Sequence, residues 1–336
     1  MSTFNSNEVY FAQTPVAYFF YNRPDLIRQT FQEIAKAKPK KLFLIADGAK
    51  DADDEKFCKI SREVVKSAID WPCEVYNNFS STHLGLGERV ASGIAWVFEK
   101  VEEAIFIEDD VLVHNSFFQY CDLLLDYHRN NLQVMMISGC NLFPSLSNET
   151  NNVSSYLFSR YPMVWGWATW KRAWSNYDLK MQEWPHWKNR SDLSDYFVNK
   201  EEERTFQFNW ERVYSYGFDT WTFQWDFCRV IARGLGLIPK KNLAVNIGFG
   251  ESATHTKDSS SFLAHLPLQT MEFPLHHQRE DAILHDQAYF KKMIKRASFL
   301  QRALLRISQL FSCRSETKPK VKARASTDLT QSARPL

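Results

Sequence analysis

Residues 104–118 read AIFIEDDVLVHNSFF, a run of apolar residues followed by three adjacent acids. The acids are Glu108, Asp109 and Asp110, and the apolar residues 104–107 before them predict a buried β-strand. Adjacent carboxylates repel one another and are costly to remove from water unless a positive charge lies among them. The stretch therefore predicts a strand that ends in a charged site, and it raises the question of which cation balances the acids.

A divalent cation is one answer, because hard carboxylate oxygens suit Mn2+ or Mg2+ and leave positions open for water and phosphate. The alternative is an acidic strand end that faces water. Asp110 or Asn115 would then cap the helix that begins near Phe117. Both interpretations stay open from these residues alone.

The first 140 residues alternate between strand and helix patterns. Strands are predicted at residues 16–21, 41–46, 73–76 and 104–107, with helices from residue 24, over 57–69 and over 88–99. This order predicts an α/β fold with a mainly parallel central sheet and helices on both faces.

Polar clusters follow three of these strands. They are Asn22–Arg23, Asp47–Gly48 and the acids Glu108 to Asp110. Ligands of parallel α/β sheets bind outside the carboxyl ends of the strands. We therefore expect the three clusters to converge on one crevice.

The alternation stops after residue 140. We predict a first α/β half at residues 1–140, a second half of the same domain at 141–290, and a tail at 291–336. Within the second half, residues 141–160 are expected to form a loop. A dense aromatic segment at 163–170 leads into a helix at 171–174, and another helix is expected over 220–229.

The tail is strongly basic, with eleven Lys or Arg and one acid between residues 291 and 324. An apolar stripe at helical spacing runs from Phe290 to Phe311. This pattern predicts either a helix docked on the core or an interfacial helix on anionic lipid, with a disordered segment after Ser312. A peripheral membrane contact through residues 290–325 is one of these two alternatives.

Bulk composition excludes some classes of protein. A net charge of +2 does not indicate a nucleic-acid binder. The six cysteines have no zinc-like or CxxC spacing, and the first residues do not read as a signal peptide. No stretch approaches the roughly 20 apolar residues that span a bilayer. We predict a cytoplasmic protein, with the inner face of the plasma membrane as its possible site of contact.

Several segments stand in a distinctive order: YNRP (21–24), ADG (46–48), LGLGERVASGI (84–94), IEDDVLVHNSFF (107–118), ISGCN (137–141), WGWATWKRAW (165–174) and NIGFGESATHT (246–256). This order resembles bacterial glycosyltransferases of the GT-A type. These are similar to family 2 transferases and to the eukaryotic N-acetylglucosaminyltransferase that begins complex N-glycans. The resemblance covers residues 14–290, and it implies a GT-A fold.

The resemblance also implies a nucleotide-sugar donor, with a UDP-sugar favoured, and Mn2+ or Mg2+ as cofactor. Asp47 would read the uracil edge. The residues implied at the donor are Asn22, Arg23, Asp47, Gly48, Arg89, Glu108 and Asp109. The residues implied at the metal are Asp110 and His255.

The resemblance also implies an inverting transfer, which needs a carboxylate that accepts the proton of the acceptor hydroxyl. Asp226 is our prediction for this base, and Asp219 lies close by in the sequence. Trp165, Gly166 and Trp167 are predicted to bind the acceptor, since aromatic faces stack on sugars. A ridge of core residues is the alternative for such a Trp-rich segment.

The resemblance thus implies a metal-dependent inverting glycosyltransferase that acts on a glycan or lipid-linked acceptor, in surface polysaccharide synthesis. The alternative is a catalytically inactive GT-A-fold protein that binds carbohydrate or serves in assembly. A metal-dependent phosphohydrolase is a third class, but it usually needs more His and Asp ligands than this sequence offers.

Overall fold

The computed structural model describes residues 10–147, 153–250, 261–277 and 282–296. The chain divides into two compact units, Met1–Lys295 and Arg296–Leu336. Apart from Arg296, everything below belongs to the first unit. His255, the disordered segment predicted after Ser312 and most of the basic tail lie outside the described residues.

The described residues form ten strands and eleven α-helices. The strands are β1 Val16–Phe20, β2 Lys41–Ala46, β3 Glu74–Phe79, β4 Glu103–Glu108, β5 Val111–Val113, β6 Val134–Ser138, β7 Tyr156–Ser159, β8 Trp167–Trp170, β9 Leu235–Pro239 and β10 Ala244–Asn246. The helices are α1 Pro24–Ala37, α2 Ala52–Ser67, α3 Leu86–Phe98, α4 Ser116–Tyr127, α5 Pro144–Ser147, α6 Lys171–Trp174, α7 Trp184–Trp187, α8 Ser191–Ser194, α9 Lys200–Tyr216, α10 Thr222–Ile231 and α11 Ala282–Arg296. A 3-10 turn covers Phe262–His265.

Eight strands form one sheet in the order β3-β2-β1-β4-β8-β6-β9-β7. All of them run in one direction except β8 and β7, which pair antiparallel with their neighbours. A small second sheet pairs β5 with β10, so the chain directly after the three acids is tied to the second half of the protein. The prediction of a mainly parallel sheet is confirmed.

Helices cover both faces of the sheet, as the alternation of side chains along β1 shows. Tyr18 points into a core cluster that contains Phe31 of α1, and the two rings lie 5.2 Å apart. Its neighbour Phe19 belongs to the opposite cluster, together with Ile94 of α3. Successive strand residues point to opposite faces, so each face has its own helices and its own core.

The second half contains strands that the sequence did not indicate. Residues 141–160, expected to be a loop, contain α5 and the edge strand β7. The aromatic segment forms β8, which inserts antiparallel between β4 and β6. Both strands are only four residues long. Four residues are too few to show the alternation of apolar and polar side chains that marks a strand in the sequence. Hydrogen bonding to the neighbouring strands therefore decides the conformation of β7 and β8.

Helix α11 is docked on the core at its described residues. Tyr289 and Phe290 are buried among Cys140, Phe143 and Tyr161. The start of the predicted apolar stripe is therefore a packing surface, while the part beyond residue 296 lies outside the described residues. Over the ranges that the structure describes, no helix is long and apolar enough to cross a bilayer.

Candidate active site

The three polar clusters meet at the carboxyl ends of adjacent strands. Arg23 follows β1, Asp47 follows β2 and Glu108 ends β4, and these strands are neighbours in the sheet. A cavity of about 250 Å3 opens there, and all three side chains line it. We call it the first cavity. This is the crevice in which ligands of parallel α/β sheets bind.

The cation among the acids is Arg23. Its guanidinium is hydrogen-bonded to Asp109 and lies 3.3 Å from Asp110 Oδ2. Asp109 also accepts a hydrogen bond from the backbone N–H of Tyr21, at 3.0 Å. Burial of Arg23 lowers its pKa, but the two carboxylates outweigh that effect and the net change is upward. A fixed positive charge within the protein itself thus offsets part of the negative charge of the acids.

Glu108 is the remaining acid of the three, and it lines the first cavity and a second one. Burial raises its pKa to about 8, with Asp110 and Asp109 adding to the rise and Arg23 opposing it. Burial and the neighbouring carboxylates thus favour the neutral form of Glu108, and that form relieves part of the repulsion among the three acids.

Arg89 of α3 supplies the first cavity with a positive charge that the protein balances only in part. The residue is only 7% exposed, and its Nε and Nη2 atoms have no hydrogen-bond partner among the described residues. Burial lowers its pKa, and the charge of Asp47 only partly offsets that effect. Buried guanidinium groups without partners are costly, so this arrangement favours an anionic ligand in the cavity.

Asp47 lies in the first cavity, but its carboxylate is occupied by the protein. It accepts hydrogen bonds from the backbone N–H groups of Gly48, Leu84 and Gly85, at 2.8 to 3.2 Å. Gly48 is required by a close approach, because a Cβ there would lie 2.4 Å from the backbone of Thr82. Asp47 and Gly48 therefore join the loop after β2 to the loop before α3.

Asn22 borders the first cavity, and its amide is likewise engaged. Its Nδ2 and the hydroxyl of Tyr21 both donate to the carboxylate of Asp54 on α2. Asp54 also accepts from the backbone N–H of Lys50 at 2.9 Å. The loop after β1 is thus held by one carboxylate, which places Arg23 beside the acids.

A second cavity of about 440 Å3 adjoins the first and shares Arg23, Leu86 and Glu108 with it. Asp110 and Asp226 both line this second cavity. Its other walls come mainly from large apolar side chains: Tyr161, Met163, Trp165, Phe206, Trp221, Phe223, Phe290 and Met293. Two adjoining chambers with acids at their junction can hold two substrates side by side.

Asp226 of α10 contributes a carboxylate to the wall of the second cavity. Its side chain is 30% exposed and pairs with Arg229, a buried residue of the same helix, at 2.5 Å. Burial raises the pKa of Asp226, and Arg229 acts in the opposite direction. Asp219 is already engaged, because it accepts from the backbone N–H groups of Leu86 and Gly87 at 3.1 and 2.7 Å. It caps the start of α3.

The predicted acceptor residues separate in the structure. Trp165 lines the second cavity, whereas Trp167 is 1% exposed and packs on Trp221 and Trp225 in the core. Gly166 has a φ of 57°, where its backbone oxygen accepts from Gly139 N at 2.6 Å. Trp167 and Gly166 therefore do not fit the predicted role in acceptor binding. The reason is that β8 turns the Trp167 ring into the core.

Sequence reasoning missed the residues that frame the second cavity. Arg160 joins three elements: it pairs with Asp286 of α11 at 3.1 Å, approaches Glu202 of α9 at 3.5 Å, and donates to the backbone oxygen of Tyr196. Phe290 and Met293 of α11 form part of the wall. The only sequence signal was the apolar stripe of α11, which does not indicate what the helix packs against.

The described residues fit a divalent cation only in part. Asp110 offers a hard oxygen ligand on the rim of the second cavity, but no group of three His, Cys, Asp or Glu side chains that could hold a metal occurs in the described part of the chain. Mg2+ and Mn2+ sites commonly use one or two carboxylates and complete their coordination with water and substrate phosphates. The donor set fits an ion of that kind, and His255 lies outside the described residues.

Comparisons with known proteins return solved structures only. No family model and no curated protein sequence matches this chain. S. aureus TarS matches over 38% of this chain and 21% of its own length, at 14% identity and a TM-score of 0.27. A 1–349 fragment of TarS gives 13% identity, 38% and 34% coverage, and a TM-score of 0.28.

A UDP-glucose pyrophosphorylase complexed with UDP-glucose matches over 43% of this chain and 62% of its own length, at 14% identity and a TM-score of 0.24. This chain therefore spans less than two thirds of each of these proteins. At such low TM-scores the likeness carries no argument about function. An argument about function has to come from the residues of the two cavities.

Proposed function

We propose that this protein is a metal-dependent inverting glycosyltransferase, which moves a sugar from a nucleoside diphosphate donor to a hydroxyl of a glycan or lipid-linked acceptor. We assign it to surface polysaccharide synthesis and to the GT-A type. The observation that carries the proposal is the pair of adjoining cavities. The first cavity contains the guanidinium of Arg89, whose Nε and Nη2 atoms have no hydrogen-bond partner among the described residues, and the second contains the carboxylate of Asp226. Arg23 and Glu108 line both cavities.

The first cavity suits the donor. A diphosphate would add negative charge to the part that Asp47 supplies to Arg89, and it would give hydrogen-bond acceptors to the two nitrogens that have no partner among the described residues. Arg23 lies at the junction of the cavities, where negative charge develops on the leaving diphosphate as its bond to the sugar breaks. Fixed cations at that point stabilise the transition state without reorganisation.

The second cavity suits the acceptor. Trp165 and Phe206 offer apolar ring faces to the C–H face of a sugar or to an apolar aglycone. Asp226 would accept the proton of the attacking hydroxyl while that oxygen forms the new bond to the anomeric carbon. The nucleoside diphosphate departs from the opposite face, which inverts the configuration. The raised pKa of Asp226 makes it a stronger base than an ordinary carboxylate.

Asp110 would hold the divalent cation, together with oxygens of the donor, and His255 is the second ligand that we propose. A bound Mn2+ or Mg2+ supplies positive charge that offsets the charge of the leaving diphosphate. Such an ion would approach the carboxylate that now lies 3.3 Å from Arg23. Binding of the donor complex would therefore compete with this ion pair.

The test begins with a panel of nucleoside diphosphate sugars, supplied with Mn2+ and with glycan or lipid-linked acceptors. Release of nucleoside diphosphate should depend on the acceptor. Asp226→Asn should retain donor affinity and lower turnover by about two to four orders of magnitude, the usual range for a lost general base. Acceptor-independent release would instead indicate a hydrolase, and full turnover by Asp226→Asn would exclude this residue as the base.

Asp219→Asn is the matched control, because Asp219 also lines a cavity, the first one, but its carboxylate is occupied at the start of α3. We expect it to lower thermal stability modestly and to change turnover far less than Asp226→Asn does. Asparagine keeps one acceptor oxygen at this cap while losing the negative charge that favours a helix N-terminus.

A further inference from the structure

The hydrogen bonds around Asp47 point to a different residue for reading the nucleobase. We infer that Nε2 of His83 accepts a hydrogen bond from a ring N–H of the base, and that Asp47 positions His83 rather than contacting the base. This inference rests on the proposed function, since it presumes a nucleoside diphosphate in the first cavity. It names the class of base that the cavity selects.

Asp47 has little capacity left for a ligand. Oδ1 accepts from Gly48 N and Leu84 N, and Oδ2 accepts from Leu84 N and Gly85 N. Oδ2 also lies 2.8 Å from Nδ1 of His83. A carboxylate offers about four lone-pair positions, and the protein already fills them. The 6% exposure of Asp47 agrees with a residue that organises loops.

The neighbours of His83 determine its tautomer. Nδ1 lies 2.8 Å from the Asp47 carboxylate and 3.2 Å from the backbone oxygen of Gly48. Both neighbours can only accept, so the proton must be on Nδ1. In the neutral imidazole the other nitrogen, Nε2, is then a hydrogen-bond acceptor. Within the described ranges, Nε2 makes no hydrogen bond to the protein.

His83 is held at the cavity wall. It lines the first cavity with 30% of its side chain exposed, and its ring stacks on Tyr21 at 5.4 Å between centroids. Tyr21 is itself fixed by its hydrogen bond to Asp54. The acceptor nitrogen therefore belongs to a ring that is held by its contact with Asp47 and by its stacking on Tyr21, and a specificity contact requires such a fixed position.

An acceptor at this position discriminates between bases. Uracil carries N3–H and can donate to Nε2. Cytosine has an unprotonated N3 at the same position. Its N3 and Nε2 of His83 would then be two acceptors that face each other with no hydrogen between them. A recognition site built around one hydrogen bond rejects the ligand that cannot make it, because buried polar groups are left unpaired. The first cavity should therefore prefer UDP over CDP.

The experiment measures the affinity of UDP and of CDP by calorimetry with Mn2+ present, at mildly alkaline pH. Wild-type protein should bind UDP about 10- to 100-fold more tightly than CDP. His83→Asn keeps an N–H near the position of Nδ1 for Asp47 but removes the acceptor at Nε2. We expect it to bind CDP as wild type does and to lose the preference for UDP.

His83→Gln is the second variant, and it decides the matter if His83→Asn does not fold. Its amide reaches the position of Nε2 and can turn either its oxygen or its nitrogen to the base, so CDP should bind nearly as well as UDP. A variant that keeps the wild-type ratio of UDP to CDP affinity overturns the inference, and so does wild-type binding without a base preference. Failure of wild type to bind any nucleoside diphosphate would overturn the proposed function as well.

Discussion

Replacing Arg89 by methionine should stabilise the protein and at the same time impair it. The guanidinium is buried, and two of its nitrogens have no hydrogen-bond partner within the described part of the chain. Methionine has a similar length and carries no charge. The variant therefore separates the two effects of Arg89, its cost to the fold and its contribution to ligand binding.

The magnitude follows from the two unpartnered nitrogens. A buried donor without a partner costs about 1–3 kcal/mol, and exchange of a buried charge for an apolar residue often stabilises by about 1–4 kcal/mol. We expect the free energy of unfolding to rise by about 1–3 kcal/mol, with a melting temperature higher by about 2 °C or more. Loss of a charge-assisted hydrogen bond to the diphosphate should weaken UDP binding by about 10- to 150-fold.

Arg172→Met is the matched control. Arg172 also lies partly buried with a pKa lowered by burial, but it donates to the backbone oxygens of Arg129, His128, Asn131 and Val134, and it lines neither cavity. Its removal takes a donor from all four carbonyls, although those of His128 and Asn131 keep the backbone N–H groups of Asn131 and Val134. We expect Arg172→Met to lower the melting temperature and to leave UDP affinity unchanged, so the two variants should move stability in opposite directions.

The assays are thermal unfolding of the free proteins and calorimetric titration with UDP in the presence of Mn2+. An Arg89→Met protein that is less stable than wild type and binds UDP equally well would refute the reasoning. Arg89 would then be a structural residue whose partners lie within the protein.

Three further predictions concern the metal, the second cavity and the tail. Asp110→Ala should leave the fold intact and remove the Mn2+-dependent part of UDP binding in calorimetry; unchanged Mn2+ dependence would contradict the metal assignment. Met293→Trp should fill part of the second cavity and lower the rate of acceptor use at least about tenfold without changing UDP affinity. The control is Lys291→Ala on the exposed side of α11, which should leave acceptor use unchanged. Equal acceptor use by the two variants would contradict the acceptor assignment. The full chain should pellet with anionic vesicles at low salt, whereas a chain ending at Arg296 should not. Each Lys or Arg near the membrane adds about 1 kcal/mol to the free energy of membrane binding. If both proteins stayed in the supernatant, the tail would not bind membranes.

The truncation point in the last experiment comes from the structure. Asp286 of α11 accepts from Ser159 Oγ at 2.5 Å and from Arg160 N at 3.0 Å, and Phe290 packs in the core. A chain that ends before residue 286 would lose these contacts, and the wall that α11 gives to the second cavity would be missing. Ending the chain at Arg296 tests the tail without that damage.

Local sequence patterns predicted β1, β2, β4, α1 and α3, but they did not predict β5 and β6, which also lie within the first 140 residues. In β1, β2 and β4 the strand residues are buried almost throughout, and α1 and α3 carry apolar residues at helical spacing. These patterns arise from neighbours within a few residues, so they can be read along the chain. Because parallel strands end at one edge of a sheet, the same patterns placed Arg23, Asp47 and Glu108 together.

The roles of those residues depended on contacts between distant parts of the chain. Arg23 contacts acids that lie 86 and 87 positions further along the chain. The carboxylate of Asp47 accepts hydrogen bonds from backbone N–H groups 37 and 38 positions away. Trp167 faces the core only because β8 inserts between β4 and β6. Strand order and loop packing decide such contacts, and no local period encodes them. The sequence by itself determined which chemical groups gather at the edge of the sheet, and only the tertiary structure decided which of them are left free to bind a ligand.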